Sequence, residues 1–168
     1  MASEIALIGL GANLGQPSAQ ISTALDRLAA LPGLRLLACS DFYRSPAWGD
    51  TEQPDFVNAA AAFAVQLAPI RLLRELLEVE QALGRVRNQR RWGPRRIDLD
   101  LLCFGTRVLQ LAALHLPHPG IGERAFVLVP LLDLAERLPQ LPAAPWRQQL
   151  NQLHHADVVR MQPPNRPQ

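Results

Sequence analysis

No lysine occurs among the 168 residues of this chain, so all 17 of its basic Lys/Arg positions are arginine. That absence excludes two common nucleotide sites: the phosphate-binding loop ending in Gly-Lys-Ser/Thr, and the protein-kinase site built on a strand lysine. Phosphate bound here is held by arginine, backbone or metal. Cysteine is scarce: Cys39 and Cys103 stand far apart, outside any Cys-x-x-Cys or Cys/His ligand spacing, and a reducing, cytoplasmic compartment is expected. The N-terminal stretch lacks the pattern of a secretory leader, and no apolar run reaches the length of a membrane span. A formal charge of only +2 weighs against a protein that coats nucleic acid over its whole surface. With 48% hydrophobic residues the chain can bury one sizeable core. One domain over 1–160 is expected, without a second catalytic domain, followed by a flexible proline-rich tail over 161–168.

The positive charge that is present is concentrated. Six arginines (Arg85, Arg87, Arg90, Arg91, Arg95 and Arg96) fall in R-V-R-N-Q-R-R-W-G-P-R-R-I-D-L-D, with no acidic residue before Asp98. Such a cluster repels itself and becomes favourable against a polyanion. On a strand, residues two apart share a face, so Asp98 and Asp100 project together while Ile97, Leu99 and Leu101 turn into a core. Paired carboxylates beside guanidinium groups suit a hard divalent cation that bridges to phosphate oxygens, since Mg²⁺ needs few protein ligands. The segment reads as a magnesium–nucleotide site. A basic loop that binds RNA, with Trp92 interleaved, stays open at this point.

Strand and helix signals alternate along the chain. Strands are predicted over Glu4–Gly11, Leu34–Tyr43, Asp55–Leu67 and Ile97–Phe104, and helices over Pro17–Leu31 and Pro69–Leu83, the second closed by Gly84. Arg44–Pro54 carries the Pro, Gly and Asp of an irregular loop. Beyond Gly105 the weaker pattern predicts a hairpin partner over Arg107–Leu116, a turn at His118-Pro119-Gly120, a short helix over Arg124–Leu134 interrupted at Pro130, and an amphipathic helix over Pro145–Leu153. The order β-α-β-β-α-β is the split βαβ arrangement, so the expected fold is a ferredoxin-like α+β domain: an antiparallel sheet, helices on one side, and C-terminal additions.

The segment Arg91-Trp92-Gly93-Pro94-Arg95-Arg96-Ile97-Asp98-Leu99-Asp100-Leu101-Leu102 closely resembles the signature of the 6-hydroxymethyl-7,8-dihydropterin pyrophosphokinase family. The likeness extends to Ile8–Gly15, Tyr43–Pro46, Gln53–Ala60, Glu80–Arg87, Pro117-His118 and Arg124–Phe126, in the family's order. It implies transfer of pyrophosphate from ATP to a pterin alcohol, with AMP as leaving group, in folate biosynthesis. By the resemblance, Asp98 and Asp100 hold two Mg²⁺ ions on the ATP phosphates, and Arg85 and Arg95 are the catalytic arginines. Glu80, Arg87, Arg91, Trp92, His118 and Arg124 would contact ATP. Phe56 and Phe126 would sandwich the pterin, Asn58 would read its edge, and Ser45, Pro46 and Trp48 would bring a loop to the same edge. Gly93-Pro94 would give the arginine loop the bend and stiffness of a lid. Phe56 stands where a tyrosine is often found, keeping the ring without its hydroxyl, and Pro119 and Ala113 replace residues that can contact the nucleotide, which weakens the expected ATP contacts around His118 and leaves the aspartate pair untouched.

Gly9-x-Gly11-x-x-x-Gly15 departs by one residue from a dinucleotide fingerprint and lacks its acidic partner, so NAD or FAD is not expected. The resemblance implies that these glycines and Asn13 shape the turn after the first strand. ATP and 6-hydroxymethyl-7,8-dihydropterin are the expected partners of a monomer that binds neither nucleic acid nor membrane. A ferredoxin-like RNA-binding module and a catalytically silent relative are the competing readings; Mg²⁺-dependent ATP binding separates the first from the enzyme, and AMP formation the second.

Overall fold

The computed structural model describes residues 2–49, 51–85 and 93–162. Arg87, Arg91 and Trp92 lie outside the described residues. The first part of the chain runs β1 (Glu4–Ala12), α1 (Pro17–Ala29), β2 (Leu34–Cys39), β3 (Tyr43–Ser45), β4 (Phe56–Val65), α2 (Pro69–Ala82) and β5 (Asp98–Phe104). Then follow β6 (Leu109–Gln110) and β7 (His115–Leu116), a 3-10 turn at Ile121–Glu123, α3 (Ala125–Arg137), α4 (Ala143–Leu150) and β8 (Val159–Arg160).

Both early helices open on proline, which needs no hydrogen-bond partner in a first turn. Each buries one stripe: Ile21, Ala24, Leu25 and Leu28 on α1, and Leu72, Leu76, Val79 and Glu80 on α2. β1 lies between β4 and β5 and pairs antiparallel with both. On the other edge of β4, β2 and β3 lie end to end, and β8 pairs with β3. This is the expected ferredoxin-like α+β arrangement.

Several details differ from the sequence reading. The predicted strand over Leu34–Tyr43 is two strands with a break at Ser40–Phe42. Ser40 keeps the sheet continuous there, donating its N–H to Ala60 O at 2.8 Å and accepting the Ala60 N–H on Oγ at 2.9 Å. The next residue leaves the ladder: the Asp41 N–H donates to Asp133 Oδ2 on α3 at 2.7 Å. The helix expected to stop at Pro130 runs through it. The lost hydrogen bond is outweighed by burial of Leu128, Leu131 and Leu134, all fully inaccessible.

Helices occupy both faces of the sheet, not one. Ile8, Leu10, Leu99, Leu101 and Phe63 face α1 and α2, whereas Leu7, Ala60, Ala62 and Leu102 face α3 and α4. β5 changes parity on the way: its register with β1 shifts between Leu7 and Ile8, opposite Leu102, so Leu102 and Cys103 both turn toward α3. At the C-terminal end of the described chain the Met161 N–H donates to Phe42 O at 2.8 Å, and its side chain packs on the core.

Candidate active site

The face that α3 covers is left open at one end, and a cleft open to solvent lies there. Its floor follows from strand register. Asp98 on β5 sits opposite Gly11 on β1, and Gly11 opposite Asn58 on β4; one step along, Asp100, Gly9 and Ala60 form a parallel row. Two rows therefore cross the sheet from a carboxylate, through glycine, to Asn58 in one row and Ala60 in the other. A Cβ on Gly11 would lie 3.1 Å from Asn58 Oδ1, and one on Gly9 3.3 Å from Leu102 Cδ1. These two glycines lie inside β1, not in the turn after it as the sequence reading placed them; Gly15, at φ +67°, is the turn glycine.

The amide end carries Ser45, Pro46, Trp48, Phe56, Asn58 and Phe126 on the cleft wall. Asn58 Nδ2 donates to Ser45 Oγ at 2.9 Å, both residues buried, which leaves Oδ1 on the side of Gly11. Phe126 comes from the first turn of α3, and Arg124, just before that helix, lays its guanidinium 4.9 Å over the Trp48 ring. Apolar and aromatic walls with a few fixed polar groups suit a flat heteroaromatic ligand.

The carboxylate end is dense in charge. Arg85 Nη1 donates to Asp98 Oδ1 and Arg95 Nη1 to Asp98 Oδ2, each at 2.9 Å. Burial, then the Asp98 and Glu80 carboxylates, push the Asp100 carboxyl up to about 7. Arg95 is held from behind by Asn13, whose Oδ1 accepts the Arg95 N–H at 2.8 Å while its Nδ2 donates to Gln53 Oε1 and Pro54 O. Asn13 thus ties three loops together, a function wider than shaping one turn.

Ten of the expected site residues line the cleft: Ser45, Pro46, Trp48, Phe56, Asn58, Arg95, Asp98, Asp100, Arg124 and Phe126. Arg85 joins them through Asp98. Two others do not line it. His118 packs behind Arg124 around Gly120; its Nδ1 accepts the Gly120 N–H at 2.9 Å, and burial followed by the Arg124 charge lowers its pKa. Glu80, expected at the nucleotide, is 1% exposed and turned into the protein, where Oε1 accepts the Leu99 N–H at 2.8 Å. A helix-face glutamate reads as exposed in the sequence because its partner lies 19 residues on. Gly9, Gly11, Leu102 and Val127 are cleft residues the sequence reading missed; the alternation of β1 carried the signal for the two glycines.

The donor chemistry fits a hard divalent ion. Asp98 and Asp100 offer carboxylate oxygens side by side on one face, where burial and then the Asp98 charge raise the Asp100 carboxyl. Among the described residues no cluster of three or more His, Cys, Asp or Glu is arranged to enclose a metal. Two carboxylates are enough for an ion such as Mg²⁺ that takes its remaining ligands from phosphate and water.

The family model for 7,8-dihydro-6-hydroxymethylpterin-pyrophosphokinase (HPPK) matches residues 7–136. A Methylorubrum extorquens protein named 2-amino-4-hydroxy-6-hydroxymethyldihydropteridine pyrophosphokinase is 50% identical over 133 residues, covering 79% of this chain and 84% of its own. A Pseudomonas aeruginosa protein of the same name is 47% identical over 145 residues, covering 82% and 89%. Among solved structures, an HPPK-DHPS in complex with substrates superposes with a TM-score of 0.67 over 90% of this chain. At 12% identity that likeness concerns the fold alone, and this chain spans 43% of that longer one.

Proposed function

The chain belongs to the 7,8-dihydro-6-hydroxymethylpterin-pyrophosphokinase family, and we propose that its cleft is where pyrophosphate passes from ATP to the hydroxymethyl group of 6-hydroxymethyl-7,8-dihydropterin. The chain is a pyrophosphokinase of folate biosynthesis. One observation carries the assignment of the site: a charged end built from Asp98, Asp100 and Arg95 shares a sheet face with a flat apolar end built from Phe56, Asn58 and Phe126, and only Gly9 and Gly11 lie between. A triphosphate at the first end and a pterin at the second would meet over the glycines.

In the reaction the hydroxymethyl oxygen bonds to the β-phosphorus, the bond from that phosphorus to the oxygen bridging toward the α-phosphate breaks, and AMP leaves; the hydroxyl proton passes to solvent. Catalysis of this kind rests on positioning and charge stabilisation. Arg85 and Arg95 carry fixed positive charge to the phosphate end, with Arg124 at the opposite wall. Phe56 and Phe126 hold the ring by its faces. Asn58, its amide fixed by Ser45, presents Oδ1 as acceptor to the ring's N–H edge, and Trp48 with Pro46 closes the mouth. Asp98 and Asp100 would hold Mg²⁺, two ions by the family pattern, and the metal would neutralise phosphate charge and lower the pKa of a coordinated hydroxyl. His118 supports Arg124 from behind.

No helix among the described residues is long and apolar enough to cross a membrane, and neither Cys39 nor Cys103 forms a disulfide. We further propose a monomer acting in the cytoplasm on ATP and the pterin alcohol. The deciding experiment is release of AMP from ATP with Mg²⁺ and the pterin alcohol, run beside Asp98→Ala and Asp100→Ala. Pterin-dependent AMP that disappears in both variants is expected. No AMP, or ADP in its place, would overturn the reading.

A further inference from the structure

The charge at the back of the cleft is organised around a side chain that no ligand can reach. Glu80 sits in the last turn of α2 with both oxygens turned inward: Oε1 takes the Leu99 N–H, and Oε2 lies 2.5 Å from Arg85 Nη1. That contact is an ion pair set off the line of the N–H, so it carries charge attraction without a well-formed hydrogen bond. The same Arg85 nitrogen is 2.9 Å from Asp98 Oδ1. Leu99 lies between Asp98 and Asp100 on a strand at the sheet edge, and its N–H points away from β1, so Glu80 fills the place of a missing neighbour strand.

The helix end reinforces the arrangement. Gly84 takes a left-handed φ of +88°, which lets the Arg85 N–H turn back to Glu80 O at 3.0 Å and the Gly84 N–H to Gln81 O at 3.1 Å. Arg85 is therefore tied to Glu80 by its main chain and by its guanidinium. A buried carboxylate is costly unless it is paired and hydrogen-bonded. Here its neutralising cation is shared with a carboxylate of the cleft, an arrangement that a purely structural ion pair would not require.

We infer that Glu80 is a positioning residue for pyrophosphoryl transfer: it holds Arg85 at the foot of Asp98 and acts on the reaction through Arg85, not by touching ATP. The inference rests on the charge-stabilising role given to Arg85 above. With its guanidinium fixed between two carboxylates, Arg85 is aimed before phosphate arrives, and preorganised charge needs no rearrangement at the moment of transfer.

Glu80→Gln keeps the shape and the acceptor for Leu99 but removes the charge that holds Arg85. The test compares wild type, Glu80→Gln, Arg85→Ala and the double variant by three readouts: single-turnover rate, calorimetric Kd for a non-hydrolysable ATP analogue with Mg²⁺, and melting temperature. The expected result is a chemical step slowed about tenfold or more in Glu80→Gln, with the analogue's Kd held within about twofold. No further slowing is expected when the change is added to Arg85→Ala, because two residues acting as a unit are not additive. Equal slowing in both backgrounds would overturn the inference, as would weakened nucleotide binding at an unchanged rate, which returns Glu80 to an ATP contact. Wild-type transfer by Arg85→Ala would show that the role of Arg85 itself had failed, and the inference with it. Should Glu80→Gln melt below the assay temperature, Glu80→Asp, which keeps the charge but shortens its reach, gives the same comparison.

Discussion

Gly11 is one of three glycines lining the cleft and among its least replaceable residues. A Cβ there would sit 3.1 Å from Asn58 Oδ1, in the space a ring must enter, at a strand position with no left-handed strain to relieve. Gly11→Ala is therefore expected to raise the KM for the pterin about tenfold or more while the KM for ATP moves little, a loss of ~1.4 kcal/mol confined to one substrate. Equal effects on both substrates in steady-state kinetics would show that the sheet, not the ring site, had been disturbed. Asp100 gives a second expectation, from pH. Its carboxyl is raised from 3.8 to about 7, by burial first and by Asp98 and Glu80 next. Below the unfolded value both states hold the proton and nothing is lost; between the two values the unfolded chain releases a proton that the folded chain keeps, so stability falls as pH rises, and the loss levels off above the folded value. In excess chelator, Asp100→Asn should melt progressively higher than wild type as pH climbs from about 4 to about 8, with the gain flattening past neutrality. Mg²⁺ should reduce that difference, because the ion binds only the ionised carboxylate. The aspartate pair was legible in the sequence because period-two spacing is local. Glu80 was not, since Leu99, whose N–H it accepts, comes from a strand on the far side of the arginine segment.

The turn that ends α2 links helix geometry to the site. Gly84 at φ +88° accepts a side chain only with strain, and an added Cβ would also approach Arg96 Cδ to 3.4 Å. Gly84→Ala is expected to cost about 1 kcal/mol of stability and, by loosening Arg85, to slow transfer more than Gly33→Ala, which alters a left-handed glycine remote from the cleft. Paired melts and turnover rates separate the two effects. The join of β2, β3 and α3 is a second structural hinge. Asp133 is buried on α3 and accepts the Asp41 N–H and the Tyr43 hydroxyl on Oδ2, at 2.7 and 3.0 Å, and Arg137 Nε on Oδ1 at 3.2 Å. Burial, with Asp133 beside it, pushes the Tyr43 hydroxyl up to about 12. Tyr43→Phe removes one of three donors and should cost roughly 1 kcal/mol. Asp133→Ala leaves Arg137 and two further donors without their acceptor and should cost roughly 3 kcal/mol or more by chemical denaturation. The two-strand split of Leu34–Tyr43 follows from this same carboxylate. Its run of apolar residues reads as one strand because nothing local shows that residue 133 will draw Asp41 out of the ladder. Pro130 misleads in the opposite way: locally it breaks a helix, yet the buried leucines around it hold the helix together.

Taken as a whole, the molecule is a sheet with two different faces. α1 and α2 pack on one, and the face beneath α3 and α4 is covered only in part, with the cleft in what remains. Arg124, Phe126 and Val127, from the start of α3, form the cleft's far wall, so that layer serves both as core and as substrate wall. The β-α-β-β-α-β order identified the sheet, but not the second layer, whose segments carry weak periodicity and whose packing partners are spread over β1, β4 and β5. The two layers should therefore respond differently to truncation. Trp146, 5% exposed on α4, packs in the α3 layer, and Leu28, fully buried on α1, packs in the other. Trp146→Ala should cost about 3–5 kcal/mol and Leu28→Ala about 2–5 kcal/mol, so the two are comparable in stability. They differ in what else moves. At a temperature well below both melting transitions, Trp146→Ala is expected to raise the KM for the pterin several-fold by letting α3 and its Phe126 shift, whereas Leu28→Ala should leave it near wild type. Similar KM changes in both variants would mean that the cleft follows the stability of the protein as a whole and not the layer that walls it.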